Sequence, residues 1–266
     1  HPGRERVIAF ENSFHGRTSA AVAATDNPAI QAPLNAGHQV TFLPLNREDL
    51  LEAALRKGDV CAVILEGIQG VGGLDMASEA FYTRASELCR EHGAVLIADE
   101  VQSGFGRSGA FFAFQHSGAR PGVISMAKGM GNGFPVGGIL VHPEIKPAHG
   151  QLGTTFGGNH LACRAALAVL DVLQEEGLIT HAREMEAWFR SRAAELPAVQ
   201  QVRGKGLMLG LEFGFEVAGL RKRLIFDHGI FTGSAKNKNV LRILPPLNVT
   251  TAKLDLLFGA LKTELQ

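Results

Sequence analysis

Two apolar runs of this chain end in groups that could do chemistry. Ala94-Val-Leu-Ile-Ala98 delivers Asp99-Glu-Val-Gln102, and Gly122-Val-Ile-Ser-Met126 delivers Ala127-Lys128-Gly129. If both runs are parallel strands of one sheet, Asp99, Gln102 and Lys128 reach the edge where open sheets bind ligands, outside the carboxyl ends of their strands. An amine and a carboxylate at such an edge match the needs of pyridoxal chemistry. The amine holds the aldehyde and shuttles protons; the carboxylate faces the pyridine nitrogen and keeps it protonated, so that the ring withdraws electrons. A lone Asp or Lys at a strand end more often simply faces solvent. The company is what shifts the reading: Gln102 can hydrogen-bond a ring hydroxyl, Val101 can pack on a ring face, and glycines lie on both sides of the lysine's loop.

The elements that must position these groups follow from the same pattern. Short continuous apolar runs recur at residues 6–10, 39–43, 61–65, 94–98, 122–126 and 138–141, as expected of fully buried parallel strands. Helical spacing separates several of them, most clearly at 47–57 and 78–92, the latter stopped by Gly93. Alternation of strand and helix predicts an α/β sheet. A loop of small residues, 153–159, precedes a long helix over 161–176, apolar enough to be expected in the interior. Beyond it the pattern predicts a charged helix over 183–196, a strand at 207–213, a helix at 217–228, a strand at 241–244 and a final helix from 251. We read residues 1–174 as a large domain and 175–266 as a smaller α/β domain packed against it.

With 266 residues, 45% of them hydrophobic, the chain can bury a large core. Basic and acidic residues both number 26, so no broad basic surface offers itself to nucleic acid or to an anionic membrane, and a small-molecule partner is expected. Three scattered cysteines, Cys61, Cys89 and Cys163, suggest neither a disulfide framework nor a metal site, and fit a reducing cytoplasm. No apolar run approaches the ~20 residues of a membrane span. The start, His1-Pro2-Gly3-Arg4, has neither a Met nor a signal peptide's apolar stretch, and a fragment is expected.

Three long motifs, in order, carry a resemblance: Asp99-Glu-Val-Gln-Ser-Gly-Phe-Gly-Arg-Ser-Gly109, Ala127-Lys-Gly-Met-Gly-Asn-Gly-Phe-Pro-Val-Gly-Gly138 and Gly153-Thr-Thr-Phe-Gly-Gly-Asn159. Together they resemble the class III (ω-type) pyridoxal phosphate aminotransferases, particularly the acetylornithine/succinylornithine group, over essentially the whole chain. The resemblance implies a fold-type I architecture with a mostly parallel central sheet, its N-terminal part absent, and a small C-terminal domain. It implies pyridoxal 5'-phosphate held by Lys128 as a Schiff base, with Asp99 on the pyridine nitrogen, Val101 on one ring face and Gln102 on the ring oxygen. In Asn12-Ser-Phe-His-Gly-Arg-Thr18, Phe14 would stack on the other face and Arg17 would bind the substrate α-carboxylate. Thr155 would donate to the phosphate of the neighbouring subunit, making a homodimer with its site at the interface. Arg242, in Leu241-Arg-Ile-Leu-Pro-Pro246, matches an arginine that holds the carboxylate of the keto acid, 2-oxoglutarate; the partner substrate would be a small-molecule ω-amino donor. A guanidinium suits a carboxylate because its planar fork gives two parallel hydrogen bonds. Blander roles stand beside these: a core aromatic for Phe14, a helix N-cap for Thr155, surface charge for Arg17 and Arg242. Glu66 and Gln69 lie at the same sheet edge, either lining the site, Glu66 as a substrate contact, or bonding neighbouring loops.

The chain departs from the family pattern in two ways. The family usually reads Glu-Pro-(Ile/Val)-Gln-Gly-Glu where this chain has Glu66-Gly-Ile-Gln-Gly-Val71. The second Glu is a gate that pairs with the arginine matching Arg242 while the amino donor is bound, and Val71 cannot do this. The family's N-terminal substrate segment and its Ser/Gly/Thr-rich phosphate loop are also missing. Gly104-Phe-Gly-Arg-Ser-Gly109 formally fits a dinucleotide fingerprint, but no acidic residue follows about 20 positions on, where Ser125-Met-Ala-Lys128 stands instead. The rival readings are another pyridoxal reaction on the same fold, an aminomutase or a decarboxylase, and a truncated relative without catalysis.

Overall fold

The computed structural model describes residues 3–146, 148–150 and 153–265. Its first part alternates strand and helix: β1 (Arg6–Phe10), α1 (Ser19–Ala23), β2 (Val40–Leu43), α2 (Glu48–Leu55), β3 (Val60–Glu66), α3 (Glu79–Glu91), β4 (Val95–Asp99), β5 (Val123–Met126) and β6 (Gly138–Val141). These strands form one sheet in the order β2-β1-β3-β4-β5-β6. Neighbours from β2 to β5 pair in parallel; α2 and α3 cover one face of the sheet, burying Ile8, Phe10, Val63, Leu65, Leu96 and Ala98, while Ile64, Val95 and Ile97 on the other face are only half-buried, so the expected burial on both faces holds for one. Helix α3 shows how the sequence sets this up. Ser78 caps it by accepting the Phe81 amide at 3.1 Å, its apolar stripe of Phe81, Ala85 and Leu88 is buried, and Gly93 ends it at φ +66°. Phe81 meets Phe10 edge to face at 5.7 Å between ring centres, joining α3 to the sheet.

The second part comprises α4 (His160–Glu175), α5 (Leu178–Ala193), β7 (Val199–Lys205), β8 (Met208–Phe213), α6 (Ala218–Phe226), β9 (Val240–Ile243) and α7 (Thr251–Glu264). Strands β7, β8 and β9 make an antiparallel sheet with its own core, in which Phe189 of α5 and Phe258 of α7 sit 5.0 Å apart over Leu209, Leu211 and Leu241.

Three sequence expectations need correction. The apolar run 138–141 predicts a buried parallel strand, but β6 pairs antiparallel with β5 and is largely exposed, as an edge strand with one neighbour must be. The composition of α4 predicts an interior helix, yet only Ala162, Ala166 and Leu173 are buried, while Leu161 is 72% exposed. A helix apolar on several faces can bury one stripe against this chain, and the described residues offer nothing to cover the rest. Strand β7 has no counterpart in the sequence reading, because Val-Gln-Gln-Val-Arg-Gly-Lys is a polar, edge-lying strand with little apolar pattern to betray it. Among the described residues no helix is long and apolar enough to cross a membrane.

Candidate active site

The parallel register carries the carboxyl ends of β3, β4 and β5 to one edge. Glu66 lies beside Asp99, and Asp99 beside Ser125, three residues before Lys128. The chain turns sharply there. Lys128 adopts φ +48°, a left-handed conformation that a lysine rarely takes, and opens a short 3-10 turn through Met130. Strain of this kind persists only where surrounding structure imposes it, and it is concentrated at functional positions. Lys128 and Gln102 both line a cavity of about 680 Å³, whose far wall comes from α4 and from Leu244 to Asn248.

Asp99 is buried and its carboxylate is engaged from three directions. Oδ2 accepts a hydrogen bond from the His15 imidazole Nδ1 at 2.7 Å, and Oδ1 accepts the Val101 amide at 3.1 Å and the Ser125 hydroxyl at 3.3 Å. Val101 therefore fixes Asp99 through its backbone as well as presenting its side chain. The sequence reading passes over His15, which the fold sets against Asp99. The His15 side chain is 1% exposed, and its other ring nitrogen, Nε2, is buried without a hydrogen-bond partner among the described residues. Its position between Phe14 and Arg17 in a segment already singled out is the only signal that could have found it, since the contact with Asp99 spans 84 positions.

Glu66 stands behind this group. Its Oε1 accepts the Phe14 amide at 2.9 Å and its Oε2 the Gly70 amide at 3.2 Å. Burial pushes its carboxyl up to about 7; the neighbouring His15 and the Phe14 amide pull it back, and Asp99 pushes it further up. With 6% exposure and both oxygens engaged by backbone, Glu66 holds two loops in place. Gln69 likewise serves a neighbouring loop, donating to the Glu11 carbonyl at 2.8 Å. Glu100, next to Asp99, is buried and accepts from Ser103, Ala113 and Phe114, so it shapes the loop after Gln102 rather than the site itself.

The arginines differ in setting. Arg17 is exposed and lies over the half-buried Phe14 ring, 5.9 Å from its centre. Arg242, on β9, reaches across from the second sheet to donate to the Gly70 carbonyl, while its Nε is buried without a partner. Burial and the nearby Arg221 lower its affinity for its proton. Gly70 is the node: an added Cβ there would overlap the Gln102 carboxamide, so the missing side chain is what lets Gln102 lie where it does. Thr155 is exposed in the 153–159 loop, and Asn159 rather than Thr155 caps α4, accepting the Ala162 amide at 3.0 Å.

The loop 104–109 that mimics a dinucleotide fingerprint is held by the second part of the chain. The Leu207 amide donates to the Arg107 carbonyl at 2.9 Å, the Arg107 guanidinium donates to the carbonyls of Leu207 and Pro245, and Arg183 donates to that of Gly109. Gly206 lies against the backbone of residues 107–109 with no room for a Cβ.

Comparison with known proteins agrees with this geometry. The family described as aminotransferase class-III matches residues 1–265. An acetylornithine aminotransferase of Bacillus subtilis (strain 168) is 41% identical over 256 residues, covering 93% of this chain and 66% of that protein. Among solved structures, an ornithine aminotransferase of Toxoplasma gondii, crystallised with partial occupancy of pyridoxal phosphate at its active site, superposes with a TM-score of 0.89 at 28% identity, over 100% of this chain and 65% of its own. The N-acetylornithine aminotransferase of Stenotrophomonas maltophilia K279a gives 0.78 at 32% identity, over 99% of this chain and 67% of its own. The chain thus spans about two thirds of the length of the relatives it matches.

Proposed function

Because the chain belongs to the class-III aminotransferases, we propose that this protein transfers an ω-amino group from an N-acetylornithine or N-succinylornithine type donor to 2-oxoglutarate, giving a semialdehyde and glutamate, as arginine biosynthesis requires. The observation that carries this reading is the placing of Lys128 and Gln102 on one cavity, at the sheet edge where Asp99 ends β4.

The residues fit pyridoxal 5'-phosphate by their donor chemistry. An ionised carboxylate offers about four lone-pair positions. Three of those on Asp99 are taken by Val101, Ser125 and His15, which leaves one on Oδ2 for a further donor. The protonated ring nitrogen is such a donor. When bound, the cofactor supplies an aldehyde that takes up the amino group and a ring that stores the electrons of the broken C–H bond.

The chain's own groups do the rest. Lys128 Nζ would hold the cofactor's aldehyde group and would move the proton at the reacting carbon. Asp99 Oδ2 holds the proton on the ring nitrogen. Gln102, seated against Gly70, orients the ring oxygen; Phe14 and Val101 pack the two faces. Arg17 binds the donor's carboxylate, and Arg242 that of the keto acid. Thr155, exposed on its loop, donates to the phosphate held by a second copy, so a homodimer is the working unit. On this reading the domain boundary is at residues 174/175, in the last turn of α4.

The test uses the full-length protein with N-acetylornithine and 2-oxoglutarate. Mass spectrometry is expected to find glutamate and the semialdehyde. Release of CO₂, or isomerisation without glutamate, would reject transamination. A protein that stays colourless with pyridoxal 5'-phosphate, or colour that survives Lys128→Ala, would reject the site.

A further inference from the structure

We propose that His15 is a positioning residue for Asp99, selecting which lone pair of its carboxylate is left for the ring nitrogen; the inference rests on the cofactor reading above. A carboxylate at a strand end can rotate about its last side-chain bond, and the direction of its free lone pair rotates with it. Val101 and Ser125 both engage Oδ1, which leaves the plane of the carboxylate to be set by whatever holds Oδ2. His15 Nδ1 does this at 2.7 Å, from a ring that is 1% exposed. The other ring nitrogen, Nε2, is buried without a hydrogen-bond partner among the described residues, so the ring's one polar contact is the one that Nδ1 makes with Asp99.

The segment bearing His15 is itself fixed from the other side. Glu66 Oε1 accepts the amide of Phe14, and the Thr25 hydroxyl accepts the amide of His15 at 2.9 Å. One short turn therefore presents a ring-stacking aromatic and an aspartate-orienting imidazole as successive residues, with β3 fixing the first and β4 meeting the second. The titratable groups around the imidazole are Asp99 on β4 and Glu66 on β3, with Glu100 after β4 and the buried Tyr82 hydroxyl of α3 behind Asp99.

Asn and Gln separate direction from volume. An Asn amide places its donor near the position of Nδ1, whereas a Gln amide reaches the position of Nε2. Intact protein carrying His15→Phe, His15→Asn or His15→Gln is loaded with pyridoxal 5'-phosphate. Two quantities are read: the cofactor dissociation constant, and the pH midpoint of the visible absorbance of the Lys128-bound cofactor. His15→Phe and His15→Gln are expected to weaken cofactor binding by about tenfold and to shift the midpoint, as loss of a bond to a charged group does; His15→Asn is expected to stay within about twofold of wild type on the same basis. Equal behaviour of Asn and Gln variants overturns the proposal, and it does so even if the Phe variant fails to fold. Wild-type binding and midpoint in His15→Phe overturn it too. A wild-type protein that takes up no cofactor overturns the underlying reading along with this one, whereas unchanged variants beside a coloured wild type overturn this inference alone.

Discussion

The guanidinium of Arg242 donates to the main-chain carbonyl of Gly70, one residue before Val71, and meets no carboxylate within ion-pair distance among the described residues. A carbonyl dipole is a weaker partner than a carboxylate, so an incoming carboxylate displaces little. Val71 is 39% exposed and has room for a longer side chain. Val71→Glu is therefore expected to give Arg242 an internal competitor and to raise the KM for 2-oxoglutarate by about tenfold, the value of a modest charge-assisted bond, with a smaller effect on the ω-amino donor. Steady-state kinetics in both substrates check this; an unchanged KM for the keto acid would remove Arg242 from that role.

Gly70→Ala tests the seat of Gln102. The added Cβ collides with the far end of the Gln102 side chain and with the tip of Met208, both of which can swing away. Stability is expected to change by less than about 1 kcal/mol, while cofactor affinity falls about tenfold through the lost ring-oxygen contact, worth about one hydrogen bond. Melting temperature and cofactor titration on the same sample separate the two. A large drop in melting temperature with normal affinity would sink the assignment of Gln102.

Glu66 makes a pH-dependent contribution whose sign is fixed by its environment. Its carboxyl lies at about 7 in the fold against an ordinary 4.5, because burial disfavours the charge. Between those values the native state holds a proton that the unfolded chain has released. The stabilisation is complete below about pH 4.5 and is lost as pH rises through about 7. Glu66→Gln cannot ionise, so it is expected to gain on wild type from pH 5 to pH 8, by about 1–3 kcal/mol, since each tenfold change in proton affinity is worth ~1.4 kcal/mol. Urea unfolding at pH 5, 6, 7 and 8 reads the difference; parallel curves for the two proteins would show that Glu66 stays charged throughout.

Gly206→Ala is expected to be the most destabilising of these changes, by about 3–5 kcal/mol. Its φ of +61° strains any other residue, and the Cβ would enter the backbone of residues 107–109, which cannot yield as a side-chain tip can. Denaturant unfolding measures it; a loss below about 1 kcal/mol would mean that the loop and hairpin separate freely.

The chemistry was legible where it coincided with a strand end. Asp99 and Lys128 stood out because parallel strands make continuous apolar runs, and a charged residue ending one is conspicuous. His15 was illegible for the opposite reason: it follows no run, and its meaning comes from a partner 84 positions away. The role of Gly70 was hidden because an absent side chain is informative only once Gln102 is seen lying against it. The fold was legible in its alternation, but the direction of β6 was not, since four apolar residues pair equally well in either sense. Strand β7 escaped because an edge strand needs few apolar residues, and α4 misled because apolar composition tells how much surface wants covering, not what covers it.

The grip of the second sheet on loop 104–109 bears on how this protein fails. That loop begins two residues after Gln102, and the Leu207 amide and Arg183 guanidinium donate to its carbonyls while its Arg107 guanidinium donates to the carbonyls of Leu207 and Pro245. Local opening of the C-terminal sheet therefore drags the end of β4 with it, and the segment cannot serve as a free hinge. The two cores are therefore expected to exchange their amide hydrogens as a single cooperative unit, with slow-exchanging amides on both sides of the junction. Heat is then expected to remove binding and structure in one transition, leaving no interval in which a folded but empty pocket accumulates.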